Sequence, residues 1–480
     1  MEKTRAVPAG RGCSEALKIR AGLPSPLFRK SSRIIDSKPA ATRPHGNPYR
    51  AILRREYPEP LIALLAFILG IWLWDHYFGE NEGYPPGTEG IALVKIDRDL
   101  RLADAMEDDA AWLRWLAGVD RAEAVRLGAL EVLAKLAAER AISPQGLEAY
   151  AILRAEQENV AIPVDAGGQN FEEISREMIG HRGTWWQVKW LEARVADEPA
   201  AALGRQVYLE DSQRLRTRAV AARGAVWLLG AVGLAFVPAA LGCLRRGLSA
   251  RPAGYGGGWT ISLGLVIFLV ATLAWIGFSL TLDIGIGLLP GLHPAGVLAL
   301  DSAARILPAL IALALLFRRP GHVFRVMGLA GPLAWRPILG LFALLMIGDQ
   351  ILQLVFLGSG TDEPGGGLSG GDSGWWGLVF ALVSACLLAP VAEEVLYRGV
   401  LFRSCRNRLG VIPAAAVSAA VFAVLHFYDG YGLASVAVFG LACAFLYAGS
   451  GSLAAPIALH MLYNTSIKLP EWIVYHAPLG

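Results

Sequence analysis

Two adjacent carboxylates are the residues of this sequence best suited to chemistry. Glu393 and Glu394 follow an apolar stretch that begins near Trp375, and Arg398 comes four residues after Glu394. Side chains four apart share a helix face, so Glu394 and Arg398 are expected to pair, whereas Glu393 lies about 100° away around the helix. A charge in an apolar helix is costly and is kept for a structural ion pair or for function. These three residues alone leave both interpretations open.

Two later apolar segments add histidines and an amide. His426 follows Phe422 by four residues, and Asn464 follows His460 by four, so each pair shares a helix face. Polar groups on three separate apolar helices are expected to meet in one cavity. A carboxylate in such a cavity could act first as a base and then as an acid.

In this order, Glu-Glu-x-x-x-Arg, Phe-x-x-x-His and His-x-x-x-Asn resemble the three motifs of the CPBP family. This family contains the CAAX-protease-like and bacteriocin-processing intramembrane proteases and is also called Abi. The resemblance covers residues 375–468. It implies an intramembrane endopeptidase whose partners are the lipid bilayer and a membrane-associated protein or peptide substrate. Substrate identity, prenylated or not, is left open.

The resemblance also assigns roles to the motif residues. Glu393 would activate the water with help from His426, and His460 and Asn464 would stabilise the oxyanion. The other residues would hold the helix and wall of the site: Glu394, Arg398, Phe422 and Tyr397.

A metal is a second possibility, because the family has also been described as zinc-dependent. Its ligands would then be Glu393, His426 and His460. The motifs contain no His-Glu-x-x-His pair and no cysteine, so we favour a mechanism that needs no cofactor.

The composition places these motifs in a membrane. The chain has 480 residues, of which 54% are hydrophobic, and its mean hydropathy is +0.43. These values are typical of a polytopic membrane protein. We therefore expect an all-α bundle of about nine membrane spans with an inserted helical soluble domain. The apolar runs lie near 60–78, 224–244, 259–282, 301–317, 337–358, 375–397, 411–428, 432–448 and 452–468.

Changes in composition divide the chain into six regions. We predict a basic disordered tail (1–58), a first transmembrane helix (59–78), a helical soluble domain (80–222), a transmembrane bundle (223–358), a catalytic transmembrane cassette (375–468) and a C-terminal tail (469–480). Within the cassette, Gly440 and Ala444 form a small-xxx-small pair that favours close helix packing.

Charge predicts orientation. Residues 1–58 carry 13 Lys or Arg against 4 Asp or Glu, and arginines also mark alternate links, including the one after Arg398. The positive-inside rule then makes the N-terminus cytoplasmic and residues 80–222 extracytoplasmic, and we expect a bacterial inner (plasma) membrane. Nucleic acid is not an expected partner.

A simple up-and-down arrangement places Glu393 and His426 at opposite ends of their spans, about 30 Å apart. One site requires either a helix break at Pro390 or a re-entrant segment. The alternative function is a membrane scaffold or immunity protein, or a proton-coupled transporter, since these also carry buried Glu, Arg and His. Transport is disfavoured because the two halves show no internal repeat.

Overall fold

The computed structural model describes most of the chain from residue 56 onward. The described ranges are 56–78, 88–139, 141–162, 171–194, 199–249, 259–288, 293–317, 326–329, 333–356, 374–426, 428 and 430–479. The predicted basic tail therefore lies almost entirely outside the described residues. Within them all regular structure is helical, as the sequence predicts.

An apolar helix, α1 (Glu59–Phe78), precedes a set of shorter and more polar helices. These are α2 (Thr88–Ala105), α3 (Ala111–Ala117), α4 (Ala122–Ala138), α5 (Pro144–Glu158), α6 (Phe171–Ile179) and α7 (Trp185–Arg194). Helix α5 begins at a Ser-Pro pair. Ser143 caps the helix by accepting a hydrogen bond from Gly146 N (3.2 Å), and Pro144 occupies the first turn.

The short helices build a hydrophobic core of their own. Trp185 and Trp186 are buried at its centre and pack with Leu100, Leu133 and Ile152. Amphipathic helices of this length are stable only when their apolar faces are covered by neighbours. This core explains how the inserted region folds although its helices lack the hydropathy of membrane spans.

Helix α8 (Pro199–Leu234) links that core to the main bundle without interruption. Tyr208, near its start, belongs to the core of the inserted region. Val226 and Leu229, further along, pack against the core of the bundle. The expected division between residues 222 and 223 thus falls inside one helix.

The bundle continues with α9 (Val237–Ser249), α10 (Ile261–Leu288), α11 (Pro294–Arg305), α12 (Leu307–Leu316) and α13 (Trp335–Val355). By length and apolarity, five helices of the described residues are candidate membrane spans, or six when the pair α8–α9, bent by 64°, counts as one. Two more apolar helices are shorter. The protein is an integral membrane protein with an all-helical bundle.

The first motif lies in the middle of a long composite helix, α14. Its consecutive segments are Gly374–Val383, the π-helical Ser384–Leu388, Ala389–Glu393, the π-helical Glu394–Phe402 and Arg403–Leu409. The expected break at Pro390 is wrong, because the helix continues through it. The π-helical turn before Pro390 shifts the hydrogen-bond pattern, so the missing proline N–H is tolerated there.

The remaining helices are α15 (Val411–Val424), α16 (Gly430–Ser450) and α17 (Ala454–Tyr475). Helix α14 runs on to Leu409 and only Gly410 separates it from α15, so the two helices fold back with Phe422 opposite Arg398. The link after Arg398, which the positive-inside rule makes cytoplasmic, would contain Arg403 and Arg406, but both are buried in α14. The first motif is therefore not at a helix end, and this removes the 30 Å separation. Helix α17 also extends through most of the predicted C-terminal tail.

Candidate active site

A fully buried ion pair lies at the base of the site. Oε1 of Glu394 is 3.0 Å from Nη1 of Arg398, and neither side chain has exposed surface. Arg398 also donates from Nη2 to the carbonyl oxygen of Gly440 on α16 (3.1 Å), and its guanidinium stacks 4.4 Å from the Phe422 ring on α15. The predicted i,i+4 pair is present and fastens three helices together.

His460 of α17 lies between the two glutamates. Its Nδ1 is 3.0 Å from Oε1 of Glu394, and its Nε2 is 3.7 Å from Oε2 of Glu393. The first distance is a hydrogen bond, and the second is too long for one. Glu393 keeps 28% of its side chain exposed, whereas His460 keeps 5%. Glu393 is thus the carboxylate that a water or substrate can reach.

His426 lies at the end of α15, on the other side of the Phe422 ring. Its Nδ1 is 2.6 Å from the Phe422 carbonyl oxygen, which only accepts, so Nδ1 carries the proton and a neutral His426 has its lone pair on Nε2. Phe422 contacts the His426 ring (4.5 Å between centroids) and faces the His460 ring (6.1 Å). Nε2 of His460 therefore faces Glu393, and the contacts of His426 include the Phe422 carbonyl oxygen and ring.

Asn464 and Tyr397 complete the set of motif residues. Asn464 donates from Nδ2 to the carbonyl oxygen of Ala385 (2.8 Å), within the first π-helical segment of α14, and this leaves its second N–H for another acceptor. Tyr397 packs edge-on against Phe422 (4.9 Å), and its own carbonyl accepts a hydrogen bond from Ser418 (2.9 Å). Both residues join α14 to a neighbouring helix.

Helix α16 contributes residues that the motifs do not contain. Phe439 packs 4.8 Å from the His460 ring, and the buried thiol of Cys443 lies beside Glu394. Gly440 gives the close packing expected of it, because a Cβ there would lie 3.1 Å from Cβ of Ala419. The apolar pattern of α16 did not distinguish Phe439 or Cys443 from core residues.

Comparison with known proteins shows which family these residues are similar to. Residues 375–466 match a family model described as type II CAAX prenyl endopeptidase Rce1-like. These residues are referred to below as the Rce1-like segment. The match covers all three motifs and confirms the resemblance found in the sequence. The inserted helices α2–α7 lie outside the Rce1-like segment.

One relative in Bacillus subtilis (strain 168) is named "Putative membrane peptidase YdiL". It is 26% identical over 90 residues, which make up 19% of this chain and 36% of that protein. The chain therefore covers about a third of this relative. No solved structure matches the chain.

The donor set of the Rce1-like segment does not fit a three-ligand zinc site. Glu393 and His460 approach each other, and His426, whose Nδ1–H is bound to the Phe422 carbonyl oxygen, keeps Nε2 as its available ligand atom. Across the described ranges, no group of three His, Cys, Asp or Glu side chains is arranged to hold a metal ion. We therefore derive no chemical step through a metal.

Proposed function

We propose that the protein is an integral-membrane endopeptidase that hydrolyses a peptide bond of a membrane-associated protein or peptide. The observation that carries this proposal is the position of His460, held by buried Glu394 on one side and facing accessible Glu393 on the other. The Rce1-like match of the same segment supports it.

Charge balance explains why these residues occur together at low dielectric. Two carboxylates, one guanidinium and one imidazolium have formal charges that cancel, so the cluster Glu393, Glu394, Arg398 and His460 is neutral when His460 is protonated. Uncompensated charges among apolar helices are costly. Arg398 and Glu394 would thereby hold His460 with its Nδ1–H on Glu394 and its Nε2 toward Glu393.

The gap between Nε2 of His460 and Oε2 of Glu393 suits a bridging water. Glu393 would remove a proton from that water as its oxygen attacks the substrate carbonyl carbon. Glu393 would then return the proton to the nitrogen of the leaving amine as the C–N bond breaks. One carboxylate thus serves as base and acid, and no net proton is consumed by the site.

The developing oxyanion needs donors. His460, through Nε2–H, and Asn464, through its second N–H, are the candidates on α17. His426 would act differently: with Nδ1–H bound to Phe422, its Nε2 can accept a hydrogen bond and so help to orient the attacking water. This division of roles between the two histidines is the one that the family resemblance implies.

The test compares membrane proteomes of cells that carry wild-type protein, Glu393→Gln or Glu139→Gln. Glutamine in place of Glu393 keeps the size of the side chain but removes the base, whereas Glu139 is an exposed residue at the end of α4 and serves as the matched control. We expect one or more membrane-associated polypeptides to be cut with wild type and Glu139→Gln and to remain uncut with Glu393→Gln. If all three strains give the same polypeptide lengths at equal expression, the protein is not an endopeptidase, and a phenotype that persists with Glu393→Gln favours the scaffold or transporter.

A further inference from the structure

A second carboxylate lies in a candidate membrane span, outside the Rce1-like segment. Asp349 belongs to α13 and is half-buried. Oδ1 accepts hydrogen bonds from Tyr431 (2.8 Å) and Ser435 (3.0 Å), and Oδ2 accepts one from Gln353 (3.2 Å). All three donors are neutral. Among the described residues no lysine, arginine or histidine nitrogen lies within 4.0 Å of its carboxylate oxygens.

Helix packing alone does not explain a carboxylate at this position. Tyr431, Ser435 and Gln353 need only an acceptor, and the side-chain oxygen of an asparagine would provide one without the cost of a charge at low dielectric. The three donors use three of the about four acceptor positions of a carboxylate, so Asp349 can accept a further hydrogen bond. The position therefore has the features of a binding site for a cation that arrives from outside.

Asp349 faces a cavity that is large enough for a peptide. Its volume is about 1160 Å³, slightly above the range of about 300–1,000 Å³ that is typical of small-molecule sites. Its lining combines bundle residues, among them Asp349, Tyr431 and Tyr463, with residues of the inserted region and α8, among them Arg114 and Arg223. Both arginines donate to backbone carbonyls of the inserted region. The other charged lining residues are Lys95, Asp120, Arg121, Lys468 and Glu471, of which Lys468 pairs with Glu471.

The cavity approaches the candidate active site through two aromatic rings. Tyr463 lines the cavity and packs on Phe439 (4.9 Å), and Phe439 packs on His460 (4.8 Å). Tyr463 is also on α17, three residues from His460. The rings of Tyr463 and Phe439 would therefore separate a chain bound in the cavity from His460.

We propose that this cavity binds a segment of the peptide substrate and that Asp349 pairs with a basic side chain of that segment. This inference rests on the proposed function, because the basic side chain is a feature of the substrate that the endopeptidase would cleave. Tyr431 and Ser435 hold the carboxylate in place, and the aromatic side chains cover the apolar stem of the bound lysine or arginine. Asp349 is then a specificity-determining residue.

Binding of defined probes tests the pairing without requiring cleavage. The probes are an N-acetylated, C-amidated, fluorescent heptapeptide with one central lysine, and the same peptide with norleucine in place of lysine. They are titrated against the full-length Glu393→Gln protein in nanodiscs of zwitterionic lipid, with empty nanodiscs as blank. We expect the lysine peptide to bind about tenfold more tightly, since a hydrogen bond to a charged group contributes that much.

Variants then assign the preference to Asp349. Asp349→Asn should abolish it, Asp349→Glu should retain part of it, and Gln350→Ala should leave it unchanged. Gln350 lines the same cavity and donates to Gln353, not to Asp349, and so is the matched control. If Asp349→Asn does not fold, salt provides the test: added NaCl should weaken binding of the lysine peptide and not that of norleucine.

Equal affinities for the two peptides, binding of neither, or a lysine preference that survives in Asp349→Asn would overturn the inference. If the lysine preference depends on Asp349 but the wild-type protein cleaves no polypeptide, the binding site is supported and the endopeptidase function is rejected. The binding assay and the proteome comparison can therefore fail separately.

Discussion

Nδ1 of His460 lies 3.0 Å from Oε1 of Glu394, and this hydrogen bond joins α17 to the middle of α14. Glu394 is fully buried and already paired with Arg398. The histidine is thus oriented by a charge that solvent does not reach, while its other nitrogen faces Glu393. Such an orienting contact on an imidazole fixes which nitrogen faces the reacting groups.

Replacing His460 is therefore expected to abolish most activity. In His460→Ala, Glu393 loses its neighbour and the oxyanion loses a donor, and we expect turnover of a substrate identified by the proteome comparison to fall by about 10²–10⁴-fold. His181→Ala in the inserted region is the control, because His181 pairs with Asp211 far along the chain from the motifs. Retention of more than about a tenth of the wild-type rate in His460→Ala would contradict the proposed role.

Arg398 is expected to matter for stability as well as for activity. Arg398→Met leaves Glu394 as a buried charge without its guanidinium, and we expect a loss of about 3–5 kcal/mol in unfolding free energy. The double variant Glu394→Gln, Arg398→Met removes both charges and should be more stable than Arg398→Met alone. Thermal unfolding of the detergent-solubilised proteins measures this order, and the reverse order would show that the two residues do not form a coupled pair.

Much of this arrangement could be predicted from the sequence, and the part that could not has a physical reason. Spacing was enough to pair Glu394 with Arg398, because i,i+4 geometry is local. It did not place His460 beside Glu393, since that contact joins residues on different helices. The break assigned to Pro390 was wrong because π-helical turns absorb the proline, and no residue pattern marks them. The sequence also did not reveal that Arg403 and Arg406 are buried, because their charges indicated an exposed link between two apolar spans.

Gly440 is expected to tolerate no larger side chain. An added Cβ would meet Ala419 at 3.1 Å and Nη2 of Arg398 at 3.3 Å, so Gly440→Val should force α15 and α16 apart and disturb the bond from Arg398 to the Gly440 carbonyl. We expect a drop in melting temperature of several degrees, corresponding to about 1–3 kcal/mol. Gly348→Val is the control, because no atom lies within 4 Å of a Cβ built there. Equal melting temperatures for the two variants would contradict the close packing.

The inserted region should lose stability as pH rises. Burial, together with the nearby charge of Glu177, raises the pKa of Glu148 to about 7. Because the folded carboxyl holds its proton above the ordinary value of 4.5, its stabilising effect is complete below pH 4.5 and is lost as pH rises through 7. Glu148→Gln should therefore melt at a higher temperature than wild type at about pH 8, with the difference shrinking toward about pH 5. A difference that does not change with pH would rule out this titration as the cause.

The end of α17 is held by the inserted region, and this contact should control the local opening of the helix. The hydroxyl of Tyr475, in the last turn of α17, donates to Oδ1 of Asp99 on α2 (2.7 Å). Tyr475→Phe removes one hydrogen bond to a charged acceptor, while Asp99 keeps Lys95 at 3.0 Å, so the variant should fold. We expect amide hydrogen exchange of residues 471–475 to quicken about tenfold, because such a bond contributes about 1.5–3 kcal/mol to local stability. Amides of α4, which does not contact Tyr475, are the internal reference. Unchanged exchange in the last turn would mean that apolar packing of Val474 and its neighbours, not the Tyr475 bond, holds α17 against the inserted region.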